Sequence, residues 1–420
     1  MIDSILIALQ LPNYDIKSLE EELNEMTLLA NTLGYNINDI IVQKRIKIDP
    51  STYFGKGKIE SIINQCKEIK CKNIFINDEL SPSHFKNIQM LCKKKINIYD
   101  RTQLILDIFS SHAKTKESRT QIDLARLEYL LPRLAGMWTH LERQAGGTGT
   151  RGGPGEKQIE IDRRLANRDI TKLKKELNKI EIQRNTQRKS RKNTFKIALV
   201  GYTNAGKSSL LKEISGHDAY IKNQLFATLD TTTKKVKINK TDVLLSDTVG
   251  FLRKLPHNLI ASFRSTLADI EDADLIIKLI DISSTDINGH IQTIDLTLKE
   301  LECDKKKSIL VFNKIDKIKD SKKFTQINKT FNNPLMISTI NKLKINNLID
   351  AIDDIINANQ KKHRLKVKQR DYKTINEIYK RGRKVKEKSD FENISFNFYC
   401  DDKDYDIIKN IRKSSFSEDF

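Results

Sequence analysis

Two rhythms of apolar and polar residues divide this chain. In residues 1–110, short apolar runs at Ile5–Leu9, Asn73–Ile76 and Ile96–Tyr99 read as strands. Between and around them, Leu19–Leu33, Lys58–Ile69 and His84–Lys94 carry apolar residues at helical spacing. Strands alternating with helices predict a small α/β domain with a mainly parallel sheet. The Gly55-Lys56-Gly57-Lys58 run lacks the spacing of a full phosphate loop and has no Ser or Thr after a Lys. It reads as a turn before a helix.

From residue 111 to 192 the period changes. Leu124, Leu127, Leu131, Leu134, Trp138 and Leu141 recur at alternating spacings of three and four, and so do Ala166, Ile170, Leu173, Leu177 and Ile180. Both are heptad-like stripes. Pro132 interrupts the first and should kink it. Between the stripes, residues 146–155 hold six of the sixteen glycines, so this segment cannot be helical. Two antiparallel helices joined by a Gly-rich tip follow, the second on the order of 50 Å long. A helical hairpin turns in a few residues. This tip is longer and is flanked by Arg143, Arg151 and Lys157. Bare backbone with scattered positive charge suits close approach to a phosphate-rich surface.

Residues 193–360 return to strand–helix alternation. The last segment, 361–420, opens with a basic run and closes on the strand-like Ile394–Tyr399. The expected organisation is therefore an α/β domain (1–110), a helical hairpin (111–192), a second α/β domain (193–360) and a small C-terminal α/β appendage (361–420).

Charge narrows the partners. The formal net charge is +20, and residues 361–388 carry thirteen Lys or Arg against three acids, half of that total. So uneven a distribution points to a polyanion, either nucleic acid or an acidic membrane surface. The five cysteines are scattered with no C-x-x-C pair, which argues against a disulfide framework or a zinc site. No apolar stretch approaches a membrane span, and Met1–Gln10 lacks the features of a signal peptide. A cytoplasmic protein is expected.

The most specific chemistry lies between residues 196 and 339. The apolar strand Lys196–Val200 runs into Gly201-Tyr202-Thr203-Asn204-Ala205-Gly206-Lys207-Ser208-Ser209 and then a helix. This is the G-x-x-x-x-G-K-[ST] phosphate loop in its required setting. Its N–H groups wrap phosphates, Lys207 supplies charge at the β- and γ-phosphates, and Ser208 can ligate Mg²⁺. A second strand, Val243–Ser246, ends at Asp247-Thr248-Val249-Gly250, where Asp247 would hold Mg²⁺ through water and the Gly250 N–H would meet the γ-phosphate. A third, Ser308–Phe312, ends at Asn313-Lys314-Ile315-Asp316. A carboxylate there accepts two N–H donors from guanine, a pairing adenine cannot offer. Asn313 would brace the pocket and Lys314 cover the base. Leu335–Ile337 leads to Ser338-Thr339, placed to touch the guanine oxygen. Switch I must lie between Ser208 and Asp247; Phe226, Ala227 and Thr228 are the candidates, with Thr228 on the metal and γ-phosphate. The expected activity is GTP hydrolysis with Mg²⁺, with Lys207, Thr228 and Gly250 as the catalytic groups.

Phe251 stands where many GTPases carry a Gln that positions the attacking water. A phenyl ring neither donates nor accepts. Unassisted hydrolysis is therefore expected at about 10⁻³ s⁻¹ or below, and Phe251→Gln is expected to raise it unless packing opposes. Arg253 reads as a surface arginine.

A Gly-rich hairpin ahead of a GTPase domain resembles the HflX-type ribosome-associated GTPases. The matching residues are Asp100-Arg101-Thr102, Arg119-Thr120-Gln121, Leu130-Leu131-Pro132-Arg133-Leu134, Gly146–Gly155, Glu156-Lys157-Gln158 and Asp162-Arg163-Arg164. In the GTPase domain they are Gly201–Ser209, Leu225–Asp230 and Asp247–Arg253. The sequence departs at Thr231, where a Pro is usual, and at Thr339. The resemblance implies binding to the large ribosomal subunit, with Arg143, Gly146, Gly147, Thr148, Gly149, Thr150, Arg151, Gly152 and Gly153 at the contact. It also implies GTP-dependent dissociation or rescue of stalled ribosomes by a monomer. Two other readings remain open: a GTPase of large-subunit assembly or RNA chaperoning, and a signalling GTPase whose basic run meets a membrane.

Overall fold

The computed structural model describes residues 2–12, 14–93, 95–138, 154–189, 194–216, 226, 231–239, 241–254, 264–318, 321–332, 334–358, 361–400 and 402–417. By packing, the chain divides into two compact units, Met1–Lys234 with Leu244–Lys342, and Lys235–Val243 with Leu343–Phe420.

The first unit opens with a four-stranded sheet in the order β2-β1-β3-β4, formed by Ile2–Gln10 (β1), Tyr35–Lys44 (β2), Asn73–Ile76 (β3) and Asn97–Asp100 (β4). All three pairings are parallel. Helices Ile16–Thr32 (α1), Lys56–Glu68 (α2), Pro82–Leu91 (α3) and Arg101–His112 (α4) accompany it. The central strand β1 is buried from Ser4 to Leu9, as a strand covered on both faces should be. On α1 the buried apolar set is Leu19, Leu23, Met26, Leu29 and Ala30, an amphipathic stripe. Gly55 is the N-cap of α2 and Lys56, Gly57 and Lys58 are its first residues, so the Gly-Lys-Gly-Lys run opens the helix itself and is not a turn ahead of it.

Two elements are absent from the sequence reading. Strand β2 alternates half-buried and exposed residues along an edge, and its polar Tyr-Asn-Ile-Asn start hides the pattern. Helix α4 follows β4 without a loop. Asp100 caps it by accepting from the Gln103 N–H at 2.9 Å.

Lys116–Trp138 (α5) and Pro154–Lys189 (α6) form the hairpin, packed on one another with ion pairs Lys116–Glu176 (2.6 Å) and Lys174–Glu128 (2.8 Å). Leu124 and Ala166 are buried, while Leu127, Leu131, Ile170, Leu173 and Leu177 are half-buried. The two stripes thus face inward. The helix α5 runs through Pro132. Buried polar groups fix the second half of α5. Asp100 accepts from the Tyr129 hydroxyl at 2.8 Å and from the Leu80 N–H at 3.0 Å, and Arg133 donates to the Leu80 carbonyl at 2.5 Å while lying 3.6 Å above the Tyr129 ring.

A six-stranded sheet ordered β10-β9-β8-β5-β7-β6 comprises Phe195–Gly201 (β5), Thr232–Ile238 (β6), Thr241–Asp247 (β7), Leu275–Asp281 (β8), Ser308–Asn313 (β9) and Leu335–Met336 (β10). The β5–β8, β8–β9 and β9–β10 pairings are parallel. Lys207–Ser215 (α7), Arg264–Glu271 (α8), Ile287–Glu300 (α9), Ser321–Thr330 (α10) and Ile345–Asn357 (α11) complete the helices of this part.

The C-terminal segment is a small α/β fold of Lys361–Lys368 (β11), Tyr372–Arg381 (α12), Arg383–Ser389 (β12), Asn393–Cys400 (β13) and Asp402–Ser417 (α13), with the antiparallel order β11-β13-β12. Leu365, Val367, Ile378, Phe396, Phe398, Cys400 and Ile408 form its core. All five cysteines are buried, and none is in a disulfide. Among the described residues, no helix is long and apolar enough to cross a membrane.

Candidate nucleotide site

The carboxyl ends of β5, β7 and β9 converge, which is where an open parallel sheet places its ligands. Gly201 ends β5 with no room for a side chain: a Cβ there would lie 2.4 Å from the Leu279 carbonyl oxygen. Asn204 and Gly206 take left-handed backbone (φ 60° and 96°), which curls the loop so that its N–H groups turn toward a common centre. Thr203 and Ala205 are buried in the loop walls, and Ser208 and Ser209 are half-buried in the first turn of α7.

Lys207 is buried beneath the loop. Its Nζ donates to the carbonyls of Gly201 (3.1 Å) and Tyr202 (3.0 Å). Burial pulls its pKa down to about 8, against the neighbouring Asp247 charge, which raises it, and with that of Lys314, which lowers it. The Ser208 hydroxyl donates to Asp247 Oδ2 at 2.6 Å. Two hard oxygens so placed at a phosphate-loop helix suit Mg²⁺, which takes few protein ligands and shares its remaining positions with water and phosphate.

The Asp247–Gly250 segment is locked to the loop. The Thr248 hydroxyl donates to the Leu199 carbonyl at 2.7 Å. Gly250 touches Thr203 so closely that a Cβ would meet the Thr203 Cα at 2.8 Å. Phe251 N–H donates to the Gly201 carbonyl, and Thr203 N–H to the Phe251 carbonyl, each at 3.0 Å. The Phe251 ring is buried, 2% exposed, in the core.

On the base side, Asn313 works as a brace. Its amide donates to the Ala205 carbonyl (2.9 Å) and the Thr339 hydroxyl (3.2 Å), and its Oδ1 accepts from the Thr339 N–H (3.1 Å). The motifs at 201–208, 313–316 and 338–339 are thus one hydrogen-bonded assembly. Asp316 is exposed, with one oxygen accepting from the Ser338 hydroxyl. Ile315 beside it is half-buried. Lys314 Nζ pairs with Asp281 at 2.7 Å. Burial opposes the Asp281 charge, but bonds from Lys314 and Ser283 hold its carboxyl below the usual range.

Phe226 is away from this assembly, packed edge-on against Phe109 of α4 with ring centres 4.5 Å apart. Ala227 and Thr228, and the tip residues Arg143, Gly146, Gly147, Thr148, Gly149, Thr150, Arg151, Gly152 and Gly153, lie outside the described residues.

Arg253 corrects the sequence reading. It is 9% exposed, not a surface arginine. Its guanidinium pairs with Asp286 and with Glu21, 3.4 Å away on α1. These pairs belong to a buried polar cluster that the sequence reading missed. Arg101, 1% exposed, pairs with Glu25 and donates to the Arg253 carbonyl at 3.0 Å. Lys254 pairs with Glu22 (2.9 Å) and Asp78 (2.7 Å). The cluster's three acids on α1, Glu21, Glu22 and Glu25, lie within five residues of one another. The one available signal was the family motif Asp100-Arg101-Thr102, which carried no role.

Family models match most of this architecture: a GTP-binding GTPase N-terminal region over residues 20–110, a GTP-binding GTPase middle region over 112–191 and a 50S ribosome-binding GTPase over 196–314. The GTPase HflX of Flavobacterium psychrophilum is 46% identical over 316 residues, covering 75% of this chain and 76% of that protein. The GTPase HflX of Escherichia coli K12 is 39% identical over 303 residues, 71% of this chain and 70% of that protein. A crystal structure of a GTP-binding protein from Sulfolobus solfataricus with GDP covers 84% of this chain and 98% of that one, with 26% identity and a TM-score of 0.43. The chain binds and hydrolyses GTP, and it belongs to the HflX family of GTPases.

Proposed function

We propose that this GTPase acts on the large ribosomal subunit, where it promotes dissociation or rescue of stalled ribosomes. The observation that carries the reading is the hairpin. Helix α6, of 36 residues, is on the order of 50 Å long and packs along α5, whose second half is anchored by the Asp100–Tyr129–Arg133 cluster. A lever so long, held by buried charge and bearing a glycine-rich end, suits entry into a confined phosphate-lined space. A lipid-binding switch has no use for one. The description of the matched GTPase model, 50S ribosome-binding, agrees.

In the GTPase cycle, Gly201–Ser209 receives the phosphates and Lys207 leaves its two carbonyl partners to meet them. Ser208 and Asp247 would hold Mg²⁺, with Thr228 from switch I; bound there, the ion neutralises charge on the β- and γ-phosphate oxygens. The Gly250 N–H faces the γ-phosphate. Asp316 accepts from guanine, Asn313 braces the loop, and Ser338 and Thr339 close the base side. Phe251, buried in the core, cannot align water, so hydrolysis is slow until the ribosome orders what is missing. The protein works as a cytoplasmic monomer.

Co-sedimentation tests the proposal. With a non-hydrolysable GTP analogue, the protein should pellet with intact ribosomes and with large subunits, and less so with GDP. Pelleting only with assembly precursors would favour the assembly reading, and no pelleting would reject both.

A further inference from the structure

The basic run of residues 361–388 plays no part in the GTPase site, and none of the three family models reaches it. Folding sorts its charges. Along β11 the residues alternate sides, so Leu365 and Val367 enter the core while Lys362, Arg364, Lys366 and Lys368 are exposed on the opposite face. Lys361 falls on the core side and pairs with Asp402 at 2.7 Å. On β12 the same alternation sends Glu387 to the helix side, where the Tyr379 hydroxyl donates to it, and leaves Lys386 and Lys388 exposed.

Strand register then aligns these charges. Arg364 lies opposite Asn397 on the central strand, and Asn397 opposite Lys386. Lys366 lies opposite Ser395, and Ser395 opposite Lys388. Lys362 faces Tyr399, and Lys368 faces Asn393. Successive rows are about 7 Å apart along the strands, and the two edge strands are about 10 Å apart across the sheet. Among the described residues, Lys362, Arg364, Lys366, Lys386 and Lys388 make no ion pair, and the Ser395 hydroxyl and Asn397 amide make no side-chain hydrogen bond. Like charges gathered on one face repel one another, and a polyanion relieves that repulsion.

We propose that this open sheet face is a binding surface for single-stranded RNA, separate from the hairpin tip and independent of the bound nucleotide. Its two edges grip the phosphate backbone. The Ser395 and Asn397 side chains between them offer the donors and acceptors that a ribose 2′-hydroxyl needs, and Tyr399 offers one ring for stacking. With charge in every row and a single aromatic residue among those named, the face follows the backbone and tolerates any base sequence. A strand lies lengthwise on a face about 10 Å wide; a duplex spreads its phosphates across grooves that this width does not span.

The test uses the full-length protein and a fluorescein-labelled, mixed-sequence RNA of about twenty nucleotides, with anisotropy followed against salt. The variant R364Q/K366Q/K386Q/K388Q should lower the slope of log affinity against log salt by about 3, at about 0.7 for each phosphate no longer neutralised, and weaken binding at least about tenfold near ~0.1 M salt. GTP hydrolysis should be unchanged. K361Q, which removes the charge on the core side, should bind as the wild type does, and so should the charge-conserving K366R/K386R/K388R. Should the four-site variant unfold, K386Q/K388Q on the edge strand gives the same reading, with a slope lower by about 1.4. An unchanged slope in a folded variant overturns the proposal. So does equal loss on a blunt RNA duplex, or tighter binding to phosphatidylserine vesicles that the same substitutions abolish; the last would assign the face to a membrane.

Discussion

Tyr202, the second residue of the phosphate loop, donates its hydroxyl to the carboxylate of Glu25 on α1, and the same hydroxyl accepts the Arg253 N–H at 3.0 Å. One buried oxygen therefore joins the N-terminal domain, the phosphate loop and the segment that follows Gly250. Burial pushes the Tyr202 phenol up to about 12, so it stays a neutral donor at any working pH. Its ring is stacked on His290 with centroids 3.9 Å apart, which fixes the direction of the hydroxyl.

Removing that oxygen should be costly. Tyr202→Phe takes this partner from Glu25 Oε2 and from the Arg253 N–H in a buried site, while Arg101 still holds the other Glu25 oxygen, at a cost of about 1–3 kcal/mol. Pairing it with Glu25→Gln in a double-mutant cycle should return a coupling of about 0.5–3 kcal/mol in denaturant unfolding. Purely additive losses would show that the two groups do not interact in solution.

Lys207→Ala should abolish productive GTP binding and hydrolysis while leaving the fold intact, because the charge placed to meet the β- and γ-phosphates is lost. The pKa of Lys207 gives a second readout. Its folded value, about 8, lies below the ordinary lysine value of 10.5. Between these values the unfolded chain holds more protons, so the nucleotide-free protein gains stability as pH rises through that window. Nucleotide affinity runs the other way, since phosphate needs the charged form. GDP affinity in the wild type should be flat up to about pH 7.5 and fall above about pH 8. A flat profile through about pH 9 would rule out Lys207 as the titrating contact.

Asp316→Asn should weaken GTP and improve xanthosine triphosphate. The new amide donates to the xanthine oxygen and can no longer accept two guanine N–H groups. The Ser338 hydroxyl donates to Asp316 in the free protein, so Ser338→Ala should affect both nucleotides alike. A retained preference for GTP in the Asp316 variant would displace base recognition to other residues.

Phe251→Gln should fail to raise basal turnover, contrary to the expectation from the motif alone. The ring is 2% exposed, and its backbone is bonded on both sides to the phosphate loop. A glutamine there leaves a cavity and buries an amide, with destabilisation of about 3–5 kcal/mol, the range for truncating a buried phenylalanine. A lower melting temperature with unchanged or reduced hydrolysis is the expected pair of results. Faster hydrolysis would mean that the side chain turns toward the nucleotide.

That case shows where sequence reasoning stops. The strand-ending motifs at 201–208, 247–250 and 313–316 were legible because phosphate, metal and base chemistry each demand a residue type at a set distance from a strand. The hairpin was legible because a heptad stripe and a glycine cluster are mutually exclusive conformations. Arg101, Glu22, Glu25 and Arg253 were not legible. Each is charged, and each is buried only because a partner far along the chain meets it: Arg101 and Glu25 are separated by 76 residues, Arg101 and Arg253 by 152. Pattern within a window of residues carries no trace of such pairing. Strand β2 was missed for a related reason, since an edge strand tolerates polar residues that a central strand excludes.

The hairpin tip gives the last test. Residues 146–155 follow α5 and end in the first two residues of α6, Pro154 and Gly155, and the stripes and anchoring contacts of the two helices do not involve the phosphate loop. Replacing them with a short neutral turn should therefore leave nucleotide affinity and basal hydrolysis nearly unchanged. The stripe residues Leu124, Leu127, Ala166 and Ile170 stay in place, so the two helices should remain paired and the melting temperature should move little. If the tip enters the ribosome, the same replacement should slow subunit dissociation, followed by light scattering or gradient profiles, and should blunt the stimulation of hydrolysis by ribosomes. Restoring only Arg151 on a neutral turn separates charge from backbone. Recovery would assign the effect to phosphate contact, and no recovery would assign it to the room that bare glycine backbone leaves. A tip-replaced protein that splits ribosomes at the wild-type rate would make the segment a connector and remove the hairpin from the mechanism.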